Sequence, residues 1–220
     1  MKRTKKKISP DEISANAREN ILKKLNSAKG SMENPLLSRF EDEGGFVFPE
    51  PDDLLETFVA ELEEISGTAL IAENVIDGKR QLTELLKRKD IKEVFCTDDS
   101  LSEQLEGLPL SDDPDKFENM EAGITGCEVL IARSGSVMVS SNGSGRRMNI
   151  FPPVHIIWAY TDQLVPFISD AFYRLKDRYG EDFPSQVTVV SGPSRTADIE
   201  KTLVMGAHGP RELIVVIIKK

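Results

Sequence analysis

Apolar runs recur between Thr68 and Ile218, and two of them, VHIIWAY (Val154 to Tyr160) and ELIVVII (Glu212 to Ile218), show almost no polar alternation. Successive side chains of a strand point to opposite faces, so a run that is apolar at nearly every position needs cover on both. Strands of that kind sit inside a parallel sheet with helices on its faces. The stretches between the runs have helical period. DLLETFVAELEEIS places Leu54, Phe58, Leu62 and Ile65 on one face. TALIA (Thr68 to Ala72) then reads as a short buried strand, GKRQLTELLKRK as a second helix, IKEVFC (Ile91 to Cys96) as a second strand and DSLSEQLEGL as a third helix. This alternation implies βαβ units with right-handed crossovers. The expected fold class is α/β, a mainly parallel sheet flanked by helices.

The middle of the chain is richer in strands. EVLIA and SVMVS flank RSG, a tight connection that suits a hairpin, and SNGSGR forms another glycine-rich turn. VHIIWAY is expected as a central strand. TDQLVPFISDAFYRLKDRYG reads as a helix with Leu164, Ile168, Ala171 or Phe172, and Leu175 inward, its start limited by Pro166. SQVTVV and ELIVVII are expected to close the sheet, with a short helix ADIEKTLVM between them that stops at Gly206.

Upstream, SPDEISANARENILKKLNSA carries a helix-start pattern in Ser9, Pro10, Asp11 and Glu12. KGSMENPLLSRFEDEGGFVFPEPDD has glycine, proline and acid without period and reads as a linker. The expected organisation is a basic tail, helix and linker over residues 1–50, then one α/β domain over 51–220. The longest apolar run, LIVVII, has six residues, far short of a membrane span. No apolar segment follows the basic start, so a secretory signal is not expected and a cytoplasmic location is. Cys96 and Cys127 lie beside apolar runs and read as buried free thiols.

Five positive charges (Lys2, Arg3, Lys5, Lys6, Lys7) fall within residues 1–7 of a chain whose net charge is −9, so the rest is more acidic still. Such a body repels a polyphosphate backbone, and nucleic acid is not an expected partner.

Several polar islands are candidates for chemistry. SGPSRTADIE (Ser191 to Glu200) comes directly after an apolar run and reads as a strand-to-helix turn. Gly192 permits a close backbone turn, and Ser194, Arg195 and Thr196 stand where an anion would meet the positive end of a helix. The turn is expected at the carboxyl ends of the strands, where open α/β sheets bind ligands. The alternative is plain capping by Ser194 or Thr196, with Asp198 and Glu200 complementing the dipole. In RSGS, Ser134, Gly135 and Ser136 offer backbone amides and small hydroxyls to an anion. In NGSGRR, Arg146 and Arg147 can lie over a negative substrate. Both stretches read equally as surface hairpins. In GAHGPRE the glycines and proline explain themselves as turn residues, whereas His208 and Arg211 do not. That loop is expected on the opposite sheet edge from SGPS, so His208 reads first as a structural or interface residue. His155, inside an apolar strand, is either a satisfied core histidine or a ligand. His155 and His208 are the only histidines, and no carboxylates stand at ligand spacing, so no metal is expected. No phosphate-loop or dinucleotide fingerprint stands after any strand, and no cofactor is expected.

Three segments, GITGCEVLIARSGSVMVSS, FPPVHIIWAY and SGPSRTADIEKTLVMGAHGPRELIVVII, in this order, resemble the LUD domain of the lactate-utilisation protein C family. The resemblance is dense over residues 123–218, looser over 52–122, and in the tail covers only ARENIL. It departs from the family pattern at IARSGS, where the family carries an acid at the position of Arg133 and threonine at Ser134 and Ser136. The resemblance implies a NagB/RpiA/CoA-transferase-like fold. It also implies a part in oxidising L-lactate to pyruvate beside two partner proteins that carry iron–sulfur clusters. With two cysteines and no cluster motif, this chain cannot carry electrons through such centres unaided. Two readings result: a non-iron–sulfur component of a lactate-oxidising system, possessing or lacking a small anionic ligand, and a stand-alone phosphosugar- or acyl-CoA-type enzyme or binding protein that uses the Ser191–Asp198 turn.

Overall fold

The computed structural model describes residues 18–24, 49–197, 203–205 and 209–220. The chain divides into two units, Met1–Pro49 and Glu50–Lys220. In the first, residues 18–24 are helical, inside the segment expected as a helix.

In the second unit, Asp53 accepts the Glu56 amide at 2.9 Å and starts helix α1 (Leu54–Glu64). The chain continues through β1 (Thr68–Ala72), α2 (Val75–Arg88), β2 (Val94–Phe95), α3 (Asp99–Gln104), β3 (Leu110–Ser111) and β4 (Ala122–Gly126). Next come β5 (Val129–Ile131), β6 (Ser136–Ser140), β7 (Val154–Tyr160), β8 (Leu164–Val165), α4 (Ile168–Tyr179) and β9 (Val187–Val190). β10 (Arg195–Ala197), β11 (Leu203–Met205) and β12 (Glu212–Ile218) complete the order.

The main sheet is parallel throughout, in the order β1-β12-β7-β4-β2-β3. The two least polar runs, β7 and β12, lie side by side within it, from Glu212 opposite Val154 to Ile218 opposite Tyr160. One face packs Val154, Ile156 and Trp158 against Leu82, Leu85 and Leu86 of α2. The other packs Ile157, Val215 and Ile217 against Phe58 and Leu62 of α1 and Leu130 and Val137 of a second sheet. That second sheet has the order β8-β5-β6-β9, with β6 antiparallel to both β5 and β9. Its far side buries Val129, Ile131 and Met138 beneath Ala171 and Leu175 of α4. The α/β fold class is therefore as expected, and EVLIA and SVMVS form the anticipated hairpin.

Three expectations are corrected. VTVV does not close the main sheet but pairs antiparallel with β6, because a four-residue run does not encode its partner. ADIEKTLVM is not helical at its described ends: Arg195–Ala197 and Leu203–Met205 are antiparallel strands. The apolar triplet Leu203–Met205 is too short for periodicity to separate strand from helix. Finally, α4 starts at Ile168, beyond Pro166, and Leu164 belongs to β8. Ala171 and Leu175 face inward as expected, while Ile168 and Phe172 are exposed. Among the described residues no helix is long and apolar enough to cross a membrane.

Candidate functional site

Two of the polar turns singled out in the sequence meet at the amino edge of the main sheet. β6 begins at Ser136 and β9 ends at Val190, and Val137 is paired with Val190, so the residues just outside the ladder adjoin. The Ser136 and Ser191 hydroxyls are hydrogen-bonded at 2.8 Å. Gly135, at φ 57°, lies where a side chain would strike the Leu62 backbone of α1, and Gly192, at φ 81°, lies against the Ile65 carbonyl. The Ser194 amide donates to the Pro210 carbonyl at 2.7 Å, and Arg195 donates to the Ser66 hydroxyl. Pro210 and Ser66 precede β12 and β1, so the SGPS turn lies at the amino ends of the strands. This corrects the expected carboxyl-edge placement. It also overturns the supposed separation of SGPS from GPRE, which the antiparallel pairing of β10 with β11 and the Ser194–Pro210 bond bring together. The Arg211 amide donates to the Pro153 carbonyl at 2.8 Å, at the start of β7. Ser134 is exposed. The Thr196 side chain, His208, Asp198, Glu200 and Gly206 lie outside the described residues.

A different polar island lines a cleft. The loop after β6 (SNGSGRR) bends through Gly143 and Gly145, both at φ 70°. It is held at the carboxyl end of β2 by the Thr97 hydroxyl, which donates to the Gly143 carbonyl at 3.2 Å. Between this loop and the ends of β2 and β3 lies an open cleft of about 280 Å³, walled by Arg146, Arg147, Thr97 and Asp112 over the Phe95 and Phe117 rings. The Arg147 guanidinium lies 4.0 Å from the Phe117 ring centre, and Arg146 Nε donates to the Ser185 hydroxyl at 3.3 Å. Among the described residues neither arginine forms an ion pair. Their neutral partners aim two cationic heads without cancelling their charge. The cleft stands at the carboxyl ends of parallel strands, the edge at which open α/β sheets bind ligands. Thr97, Asp112 and Phe117 were not foreseen: β2 and β3 are two-residue strands, and no local pattern distinguishes the residues after them.

Behind the loop the protein is polar but enclosed. His155 is wholly buried, and its Nε2 is 2.9 Å from the Thr125 hydroxyl, while Nδ1 has no partner among the described residues. Among the described residues no group of histidine, cysteine or carboxylate side chains is arranged to hold a metal. Burial pushes the His155 imidazole down to about 4 from an ordinary 6.5. The folded protein holds it neutral, whereas the unfolded chain takes up a proton below pH 6.5. The unfolded state then binds more protons, so stability falls as pH drops from 6.5 towards 4 and is fully retained above that window. Urea midpoints at pH 7.5 and 5.5 are expected to show a loss of about 1–2 kcal/mol that His155→Gln abolishes. Equal losses in both proteins would contradict a buried neutral imidazole.

Glu128 is a further residue that sequence reasoning missed, a lone acid in an apolar run. Its buried carboxylate accepts from Ser140 at 2.6 Å, Tyr179 at 2.7 Å and Arg178 at 2.5 Å. These bonds tie α4 to the second sheet.

With this geometry in view, comparison with known proteins decides the family. The LUD domain profile matches residues 55–218, about three-quarters of the chain. The chain belongs to the LUD domain family. An uncharacterized protein of Neisseria meningitidis serogroup B is 30% identical to this LUD protein over 219 residues, covering 92% of this chain and 93% of that one. Lactate utilization protein C of Halalkalibacterium halodurans is 37% identical over 108 residues, 48% of this chain and 47% of the relative. Its Bacillus subtilis namesake is 34% identical over 106 residues, 47% and 44% respectively. The matched segment thus spans less than half the length of these two relatives. A crystal structure of a DUF162 family protein from Deinococcus radiodurans superposes with a TM-score of 0.58 at 19% identity, over 75% of this chain and 96% of that one. It shares the LUD chain's fold.

Proposed function

We propose that this LUD domain protein is the non-iron–sulfur component of a system that oxidises L-lactate to pyruvate, and that it holds a small anion in the arginine-lined cleft. The lactate role is supported by the likeness to proteins named Lactate utilization protein C. The observation that carries the ligand is the pair of arginines with no ion-pair partner among the described residues, at the carboxyl edge of a parallel sheet. We assign the anion to this cleft rather than to the Ser134–Ser136 and Ser191–Thr196 turns. At those turns Ser136 and Ser191 are bonded to one another, Arg195 is engaged by Ser66, and the glycines are pressed onto α1.

Electron transfer in this reading belongs to iron–sulfur partner proteins. Cys96 and Cys127 are buried, and burial pushes the Cys96 thiol up to about 11 and Cys127 higher still, which keeps both protonated and poor as cluster ligands. Tagged full-length protein purified from its own cells is expected to bring down an assembly that converts L-lactate to pyruvate with an added electron acceptor. An eluate that contains the protein but has no lactate-dependent activity, from cells whose crude extract has it, would count against the role.

A further inference from the structure

We infer that the cleft takes an organic phosphate ester bearing hydroxyl or amino groups, and not lactate or pyruvate themselves; the inference rests on the reading of this cleft as an anion site. Size is the first ground. About 280 Å³ is the space of roughly nine water molecules at about 30 Å³ each, and a three-carbon acid with six non-hydrogen atoms would leave most of it filled with solvent. Charge is the second. Arg146 and Arg147 present two cationic heads, held by Ser185 and by the Phe117 ring. Two guanidinium groups suit the charge and three acceptor oxygens of a phosphate monoester better than one carboxylate.

The rest of the wall speaks to what the phosphate is attached to. Asp112 lines the same cleft, and an ionised carboxylate only accepts hydrogen bonds. A ligand made of phosphate alone would meet repulsion there, whereas a hydroxyl or amino group would find an acceptor in Asp112. Phe95, Phe117 and Met148, each more than nine-tenths buried, supply an apolar floor for a carbon skeleton. Gly143 and Gly145, both at φ 70°, let the loop bend over the cleft, with Gly143 packed against the Asp98 side chain. A phosphate end towards the arginines and a hydroxylated end towards Asp112 match the charged groups of the wall at once.

Isothermal titration calorimetry on the full chain tests this with four probes: AMP, ribose 5-phosphate, inorganic phosphate and L-lactate. At least one ester is expected to bind saturably, more tightly than inorganic phosphate by tenfold or more, with no heat from L-lactate. AMP binding without ribose 5-phosphate binding would place a base on the Phe floor; equal binding of the two would place the recognised part in the sugar. Arg146→Ala and Arg147→Ala are each expected to weaken the ester about ten- to a hundredfold. Asp112→Asn should weaken the ester while leaving inorganic phosphate unchanged, and thermal melts check that all variants are folded. Inorganic phosphate binding as tightly as both esters would overturn the inference and leave the anion reading standing. Arginine-dependent binding of L-lactate in place of the esters would do the same. No arginine-dependent binding of any probe would overturn both.

Discussion

Gly135→Ala is expected to destabilise the folded protein by roughly 2–5 kcal/mol, the sum of left-handed backbone strain and overpacking. Gly135 sits at φ 57° in the turn between β5 and β6, and a Cβ there would lie 2.6 Å from Leu62 Cα and closer still to the Leu62 amide nitrogen. Those are backbone atoms in the last turn of a helix, so no side chain can swing aside to make room. The turn seats the second sheet on α1, and Gly192, against the Ile65 carbonyl, seats the neighbouring turn on the end of the same helix. Gly126→Ala is the control, because nothing lies within 4 Å of its would-be Cβ and its φ is not positive. Urea denaturation of the three proteins should show the Gly135 variant far below the wild type and the Gly126 variant close to it. A Gly135→Ala midpoint equal to wild type would mean that the turn does not rest on α1.

Phe58→Ala is expected to cost about 3–5 kcal/mol. Phe58 is wholly buried on α1, in a cluster that draws residues from both sheets: Ile157, Val215 and Ile217 from the main sheet, and Leu130 and Val137 from the second. Truncation leaves a cavity whose walls belong to two sheets and a helix, and such walls collapse poorly because each is fixed by its own hydrogen-bonded ladder. Phe172→Ala removes the same ring from the exposed face of α4, where Phe172 is 48% accessible, and should change stability by no more than about 0.5 kcal/mol. Similar losses for the two variants would show that α1 is not the layer that joins the sheets.

The candidate site is legible unevenly in the sequence. NGSGRR stands out as a place where Arg146 and Arg147 can meet an anion, and it lines the cleft. The other walls are invisible at that level, because Thr97, Asp112 and Phe117 come from segments brought to the loop by the pairing of β2 with β3 and β4. RSGS and SGPSR stand out independently, and their contact through Ser136 and Ser191 comes from β6 pairing with β9. At SGPSR the local pattern misleads for a physical reason. A serine, an arginine and a threonine before two acids satisfy helix-capping rules locally, but the backbone at Arg195–Ala197 pairs as a strand with Leu203–Met205. Local preference at caps is worth about 1 kcal/mol, which tertiary pairing readily outweighs.

Periodicity and burial within one segment are enough to define the individual elements. The boundaries of TALIA, VHIIWAY and ELIVVII match β1, β7 and β12, the apolar face of α1 holds Phe58 and Leu62, and the parallel character of the sheet comes from strands apolar on both faces. Long-range packing, and nothing short of it, set which strands are neighbours, put VTVV in the second sheet, and stood the SGPS turn at the amino edge beside Ser66 and Pro210. The division reflects the range of the forces. Side-chain alternation and capping act over a few residues and are written in order along the chain. Strand pairing joins backbone groups that are alike in every sequence, and it is chosen by how the whole set of apolar faces can be covered at once.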